Sequence, residues 1–337
     1  MIYLSVVVPI RNEERFIEQT LNQLVSQVYP KERYEILVID GYSDDRTPEI
    51  VNDFIKAHPD IHIYTHMNPG RLSSSARNIG ARQAKGKMIA VIDGHVFIPD
   101  NQLFQNIENL AETHAARCLG MPSPLDVPDI KEGMPYWIAL ARKSKLGHSQ
   151  DSYIYKEYEG FVNPTSNAFV YAKSLFGDIG YFDEQFDAAE DVEYNYRLHQ
   201  NGIQAYTSPK FLIYHYPRES LKGLFRQMMR YGEGRARFIR KHPEGFTKET
   251  VIPSLILGMF LGLPLALLIY PWLPLLTVLY LGVVLLYSGL LLLNGLHTAL
   301  KYKIFFPAFI IAAAVWVTHM GFGRGFLKIF TMLYKKQ

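Results

Sequence analysis

The chain has 337 residues, 48% hydrophobic, 13% aromatic and 20% charged, with a formal net charge of +3. Such a composition excludes a disordered chain, and the single cysteine, Cys118, excludes an intrachain disulfide scaffold. A charge of +3 is too small to make nucleic acid the default partner, and none is expected. The average conceals a division. No Asp or Glu occurs after Glu249, and from 251 to 323 the only formal charges are Lys301 and Lys303. The chain up to Glu249 reads as water-soluble, and the segment beyond it reads as membrane-embedded.

In chain order, residues 4–8, 35–39, 61–65 and 88–92 are short aliphatic or β-branched runs that predict strands. Between the first two, Ile17, Leu21, Leu24 and Val28 recur at helical spacing, with Glu13 and Glu14 at the favourable N-terminal end. After the second run, Thr47 reads as an N-cap and Pro48 as the first helical residue, with Ile50, Val51, Phe54 and Ile55 as the buried stripe. Near-continuous apolar strands alternating with amphipathic helices predict an α/β fold with a mostly parallel central sheet. His58, His62 and His66 are four apart, but Pro59 and the alternation Ile61-His62-Ile63 separate them as surface residues rather than metal ligands.

In parallel sheets, ligands bind beyond the carboxyl ends of the strands. Those ends carry Pro9-Ile10-Arg11-Asn12-Glu13, then Asp40-Gly41-Tyr42-Ser43-Asp44-Asp45, then Asp93-Gly94-His95. One such cluster is as well explained by turn chemistry; three together point to a site. The glycine-rich dinucleotide and P-loop cradles are absent from the sequence, so any phosphates must be neutralised otherwise. Asp93 and His95 could hold a hard divalent ion, Mg2+ or Mn2+, that bridges a diphosphate. Further along, Glu190-Asp191 opens a helical stretch, where acids also complement the helix dipole.

Taken together, these segments resemble glycosyltransferase family 2. The resemblance lies in Val6-Val7-Val8-Pro9-Ile10-Arg11-Asn12-Glu13, Val38-Ile39-Asp40-Gly41-Tyr42-Ser43-Asp44-Asp45-Arg46-Thr47, Ser75-Ala76-Arg77-Asn78-Ile79-Gly80, Asp93-Gly94-His95 and Glu190-Asp191 with the helix it opens. It spans about residues 3–235 and is most similar to the succinoglycan-biosynthesis ExoA-like branch, whose members carry membrane helices after the catalytic domain. The resemblance implies a GT-A fold, a nucleotide-sugar donor (a UDP-sugar by family habit), a divalent cation and inversion at the anomeric carbon. It implies that Pro9, Arg11, Glu13, Asp40 and Arg77 line the nucleotide pocket, Asp40 facing the base. Asp93 then meets the ribose or the metal-bound diphosphate, and Asp191 is the general base toward the acceptor hydroxyl. His95 stands where aspartate is usual in the metal triplet, and Gly41 where many members carry a second aspartate. Asn167, in Pro164-Thr165-Ser166-Asn167-Ala168, resembles the acceptor-side loop.

His215, in Tyr214-His215-Tyr216-Pro217-Arg218, is a further candidate metal ligand, with a plain strand-end histidine as the alternative. Residues 220–242 carry Lys222, Arg226, Arg230, Arg235, Arg237, Arg240 and Lys241 against one acid, Glu233. Leu221, Leu224, Phe225, Met228 and Met229 share a helical face, which predicts a basic amphipathic helix resting on anionic head groups. Within it, Gln227-Met228-Met229-Arg230-Tyr231 resembles the family's Q-x-x-R-W motif, with tyrosine for tryptophan. This implies that Gln227 and Arg230 sit beside the donor diphosphate, which a guanidinium suits.

Residues 252–270 and 273–293 each approach the roughly 20 residues a helix needs to span a bilayer. Pro264 is tolerable inside the first, and residues 305–321 are a shorter third candidate. Residues 1–10 are too short an apolar stretch for a signal peptide, so a cytoplasmic head is expected on a multi-pass cell-membrane protein. A third span would place Arg324, Lys328, Lys335 and Lys336 outside, against the positive-inside tendency, so the last segment is expected to be re-entrant or flat. The expected organisation is a catalytic domain over 1–219, an interfacial helix region over 220–249, a membrane region over 250–323 and a basic tail over 324–337. The expected activity is transfer of a sugar to a lipid-linked or growing glycan acceptor in exopolysaccharide biosynthesis. The alternatives are a processive polysaccharide synthase and a nucleotide-sugar-binding membrane scaffold with weak catalysis.

Overall fold

Every position of the first strand except Pro9 is buried, as a strand covered on both faces requires. In the computed structural model, which describes residues 1–147, 153–154, 157–304 and 307–334, the chain forms two units. They are Met1–Val127 with Ser152–Tyr216, and Pro128–Asp151 with Pro217–Gln337. The division comes after Tyr216, and the segment 128–151, which a boundary at 219 leaves in the catalytic domain, groups with the C-terminal helices.

The first unit opens with β1 (Leu4–Ile10), α1 (Ile17–Val25), β2 (Tyr34–Asp40), α2 (Thr47–Ala57), β3 (Ile63–Met67), α3 (Ser73–Gln83) and β4 (Met88–Val91). It continues through β5 (Val96–Phe97), α4 (Leu103–Thr113) and β6 (Cys118–Gly120); α5 (Gly133–Lys143) lies in the second unit. Then come β7 (Gly160–Val162), β8 (Ala168–Ala172), α6 (Ser174–Asp178), α7 (Glu190–Gln200), β9 (Ala205–Thr207) and β10 (Tyr214–His215). The main sheet has the order β3-β2-β1-β4-β8-β6-β9-β7. β1 pairs in parallel with both β2 and β4, and β2 with β3, whereas β8 runs antiparallel to β4. The chain builds outward from β1 to β3, then crosses back to place β4 on the other side of β1. That reversal is a topological switch point, and a crevice opens beyond the carboxyl ends of β1 and β4. The sheet and its helices share one apolar core that runs from Leu4 to Ile213.

Two local expectations are corrected. Val28 is not on the buried stripe: α1 ends at Val25, and Val28 is 58% exposed. Thr47 is not a cap but the first residue of α2. Asp45 Oδ1 accepts from the Thr47 amide at 3.0 Å, and Thr47 Oγ1 is used instead by the Glu13 amide at 2.8 Å.

The second unit adds α8 (Leu221–Lys241), α9 (Lys248–Leu261), α10 (Leu263–Ile269), α11 (Pro274–Lys301) and α12 (Ala308–Tyr334) to α5. Two helices, Pro274–Lys301 and Ala308–Ile329, are long and apolar enough to cross a membrane. The first expected span is broken, not continuous: α9 and α10 meet at a 43° bend. Proline lacks an amide hydrogen and its ring clashes with the carbonyl four residues back, so the helix ends at Leu261 and restarts with Pro264 in the first turn of α10. The last segment is longer than expected, a continuous helix of 27 residues; Phe305, Lys335 and Lys336 lie outside the described residues.

The apolar face of α8 is also not free for head groups. Leu224 and Met228 are buried in a cluster with Ile311, Ala312 and Val315 of α12. Close approach requires glycine there: a Cβ on Gly321 would sit 2.7 Å from the Phe225 carbonyl oxygen, and one on Gly325 only 1.9 Å from that of Met229. Small residues four apart let two helix backbones come this near. Lys328 of α12 donates to Glu233 Oε1 of α8 at 2.7 Å, with Arg237 at 3.9 Å. The charge of Lys328 is thus matched within the unit.

Candidate active site

The loops after β1, β2 and β4 converge on the crevice, and the small β5–β10 sheet completes it. β10 pairs antiparallel with β5, His215 opposite Val96, which carries the His215 ring to the end of β4. There His215 Nε2 lies 3.4 Å from Asp93 Oδ2. Burial by itself would raise the Asp93 carboxyl. The hydrogen bond and charge of His215, with Arg77 and His95 nearby, outweigh it and hold the group well below the ordinary carboxylate range. Asp93 is therefore ionised across the neutral pH range.

His95 turns its Nδ1 toward Glu13 Oε1 at 2.8 Å. Sequence reasoning placed Glu13 against the nucleoside; the structure pairs it with the histidine of the D-x-H triplet. The pair was hinted at only by the acidic run Glu13-Glu14 opposite a histidine at a neighbouring strand end. Thr20 Oγ1 donates to the Gly94 carbonyl at 2.9 Å and steadies the turn.

Among the described residues, no three His, Cys, Asp or Glu side chains are grouped tightly enough to hold an ion unaided. An ionised carboxylate with one imidazole beside it still fits Mg2+ or Mn2+, which take one or two protein ligands and fill the other positions with phosphate oxygens or water. Asp93 and His215 are the residues that would hold it, with His95 beside them.

On the other side of the crevice, Arg77 of α3 is 5% exposed. Its Nη2 lies 3.4 Å from Glu190 Oε1 and 4.0 Å from Asp93 Oδ1. Burial would lower the guanidinium, but Glu190, Asp93 and Asp191 more than compensate and raise it. Burial pushes the Glu190 carboxyl up; Arg77 opposes this, and Asp191 adds to it. Glu190 and Asp191 begin α7, and the residue before them, Ala189, adopts a left-handed conformation with φ 64°. Such backbone is uncommon away from glycine and persists where the surroundings over-determine it. Asp191 is half-buried and makes no side-chain hydrogen bond among the described residues.

The remaining predicted residues divide between the two units. Pro9 is the penultimate residue of β1, Asp40 ends β2, and Arg11 is exposed in the loop after β1. Asp40 Oδ1 accepts from the Ser43 amide at 3.0 Å and from its hydroxyl at 2.6 Å, so this carboxylate also shapes its own loop. Asn167, in the turn before β8, is 3% exposed and donates to Thr207 Oγ1 of β9 at 3.0 Å. Gln227 and Arg230 lie on α8 in the second unit, with the Arg230 side chain exposed.

A sequence profile described as Glycosyl transferase family 2 matches residues 5–167. A dolichyl N-acetyl-alpha-D-glucosaminyl phosphate 3-beta-D-2,3-diacetamido-2,3-dideoxy-beta-D-glucuronosyltransferase of Methanococcus voltae is 30% identical over 244 residues, 72% of this chain and 75% of that protein. The succinoglycan biosynthesis protein ExoA of Rhizobium meliloti (strain 1021) is 26% identical over 323 residues, 95% of this chain and 93% of that one. Among solved structures, the mannosyltransferase PcManGT from Pyrobaculum calidifontis, in complex with GDP-Man and Mn2+, aligns with a TM-score of 0.59 at 19% identity. That alignment covers 99% of this chain and 88% of the other.

Proposed function

The chain belongs to glycosyltransferase family 2, and on that premise we propose that it is a membrane-anchored, divalent-metal-dependent, inverting glycosyltransferase. It moves a sugar from a nucleotide donor to a lipid-linked or growing glycan acceptor, with the catalytic unit on the cytoplasmic side. The observation that carries the reading is the gathering of Asp93, Glu190 and Asp191 about Arg77, where the strand order reverses.

Asp191 takes the proton of the acceptor hydroxyl as that oxygen attacks the anomeric carbon. The bond from that carbon to the diphosphate oxygen breaks, and the nucleoside diphosphate leaves with the bonding electrons. Attack from the face opposite the leaving group inverts the anomeric centre. Asp93 and His215 would hold a Mg2+ or Mn2+ ion, which would supply positive charge for the departing diphosphate, and Glu13 fixes the ring of His95 beside them. Support for a lipid-linked acceptor is the dolichyl phosphate in the name of the Methanococcus voltae relative; support for the metal and the nucleotide sugar is the Mn2+ and GDP-Man of the mannosyltransferase. Two helices able to cross a membrane support anchoring. A processive synthase is the second reading, favoured by Gln227-Met228-Met229-Arg230-Tyr231.

The test is nucleotide release by detergent-purified protein. Samples receive a panel of UDP- and GDP-sugars, a membrane-lipid extract, and Mn2+, Mg2+ or chelator, beside Asp191→Asn. Metal-dependent release from one donor, lost in the variant, is the expected result. Release that survives Asp191→Asn removes Asp191 as the base, and incorporation of repeated units by one molecule moves the assignment to a synthase.

A further inference from the structure

One stretch of α3 holds the whole approach to α7, and the side chain at its centre reaches both halves of the site. Ser74 Oγ donates to the Phe186 carbonyl at 3.0 Å. Asn78 clamps Phe182 by its backbone: Oδ1 accepts from the amide at 2.9 Å, and Nδ2 donates to the carbonyl at 2.9 Å and to Glu184 Oε1 at 2.8 Å. Between them, the Arg77 guanidinium lies over the Phe182 ring, its carbon 5.6 Å from the centroid, and Nε donates to Ser73 Oγ at 3.1 Å. Its Nη2 then meets Glu190 at 3.4 Å and Asp93 at 4.0 Å. The segment from Phe182 to Glu190 is thus tied to α3 by the side chains of Ser74 and Asn78 and by the charge of Arg77. That charge is also the link to the carboxylate at the end of β4.

Arg77 Nη1 is buried without a hydrogen-bond partner. An unpaired buried donor costs stability, and a residue chosen only to hold the fold has no reason to carry it. We propose that Arg77 is a positioning residue. It sets the distance between the acceptor-side pair Glu190-Asp191 and the donor-side Asp93 by placing one positive charge between Glu190 and Asp93, which offsets part of the repulsion among the carboxylates. The inference rests on the glycosyltransferase reading above and assigns Arg77 a role other than touching the nucleotide.

The experiment compares wild type with Arg77→Lys and with the double variant Arg77→Met/Glu190→Gln. Lysine keeps the charge but loses the planar fork. The double variant removes the unpaired buried charge that could unfold Arg77→Met alone. Calorimetric binding of UDP and of GDP, each with Mn2+, shows that the pocket is folded. In both variants kcat is expected to fall roughly 10²-fold, the scale of about 1 Å of misplacement, while donor KM stays within about threefold. Backbone hydrogen exchange over 182–191 is expected to rise in Arg77→Lys whether or not turnover is measured. Wild-type kcat in the double variant, a raised donor KM with kcat unchanged, or unchanged exchange over 182–191 each overturns the proposal. If wild type releases nucleotide from no donor, it is the glycosyltransferase reading that fails, and the exchange data still decide the role of Arg77.

Discussion

Replacing Gly94 by alanine tests the site through one methyl group. A Cβ there would lie 2.7 Å from Ile10 Cγ2 and 3.3 Å from Glu13 Cγ. Comfortable carbon contacts are about 3.5–4.0 Å, so something must move by about 1 Å. Ile10 cannot yield cheaply: it is 5% exposed and belongs to the sheet core. Glu13 is held at its amide by Thr47 and at its carboxylate by His95. The turn that carries Asp93 and His95 is therefore what shifts, against the Thr20 hydroxyl that holds the Gly94 carbonyl. Overpacking of this size costs about 1–3 kcal/mol, and a displacement near 1 Å at catalytic groups costs about 10²-fold in rate. Thermal unfolding in detergent, nucleotide release and a Mn2+ titration measure the two effects. A variant with wild-type unfolding temperature, rate and Mn2+ midpoint would refute both the packing argument and the placement of Asp93 and His95 in the chemistry.

Three further outcomes are expected. Cys118 is fully buried and burial pushes its thiol up, so the folded protein resists alkylation and the denatured protein takes one label; labelling of the native state would contradict that burial. Gly325→Val sets a side chain against the Met229 carbonyl, 1.9 Å from where its Cβ would stand, and destabilises the α8–α12 contact by about 1–3 kcal/mol or more. Trypsin should then cut sooner at Arg226 and Arg230, and an unchanged cleavage rate would mean that α8 does not depend on this contact. Arg230→Ala is expected to lower kcat, as the resemblance of Gln227-Met228-Met229-Arg230-Tyr231 to the Q-x-x-R-W motif implies; unchanged kcat would exclude Arg230 from the reaction.

Much of the α/β unit was legible in order because its signals are local. Runs of buried aliphatic residues marked β1, β2 and β4 to within two residues, and the polar clusters at their carboxyl ends marked the crevice. Where a short-range signal competed with a longer-range partner, the partner prevailed. Thr47 has the chemistry of a cap, yet its hydroxyl serves the Glu13 amide 34 positions away. Leu224 and Met228 have the pattern of a lipid-facing stripe, yet α12 covers them. Asn167 sits in a motif that resembles an acceptor loop, and its side chain donates to Thr207 of β9.

By itself, the amino-acid order determined where charged sequence gives way to helices long and apolar enough to cross a membrane, the parallel strands and the identity of the residues at their ends. Hydropathy, β-branching and turn chemistry act over a few neighbours and are written in the order of residues. Only the tertiary structure decided which of those residues meet. His215 reaches Asp93 because β10 pairs with β5, and Arg77 spans Asp93 and Glu190 because α3 lies beneath the start of α7. These partners are more than a hundred positions apart, or on separate elements, and no periodicity records their distance. The charges of His215 and Arg77 that hold Asp93 ionised against its burial are brought to it only when the surrounding elements close over the site.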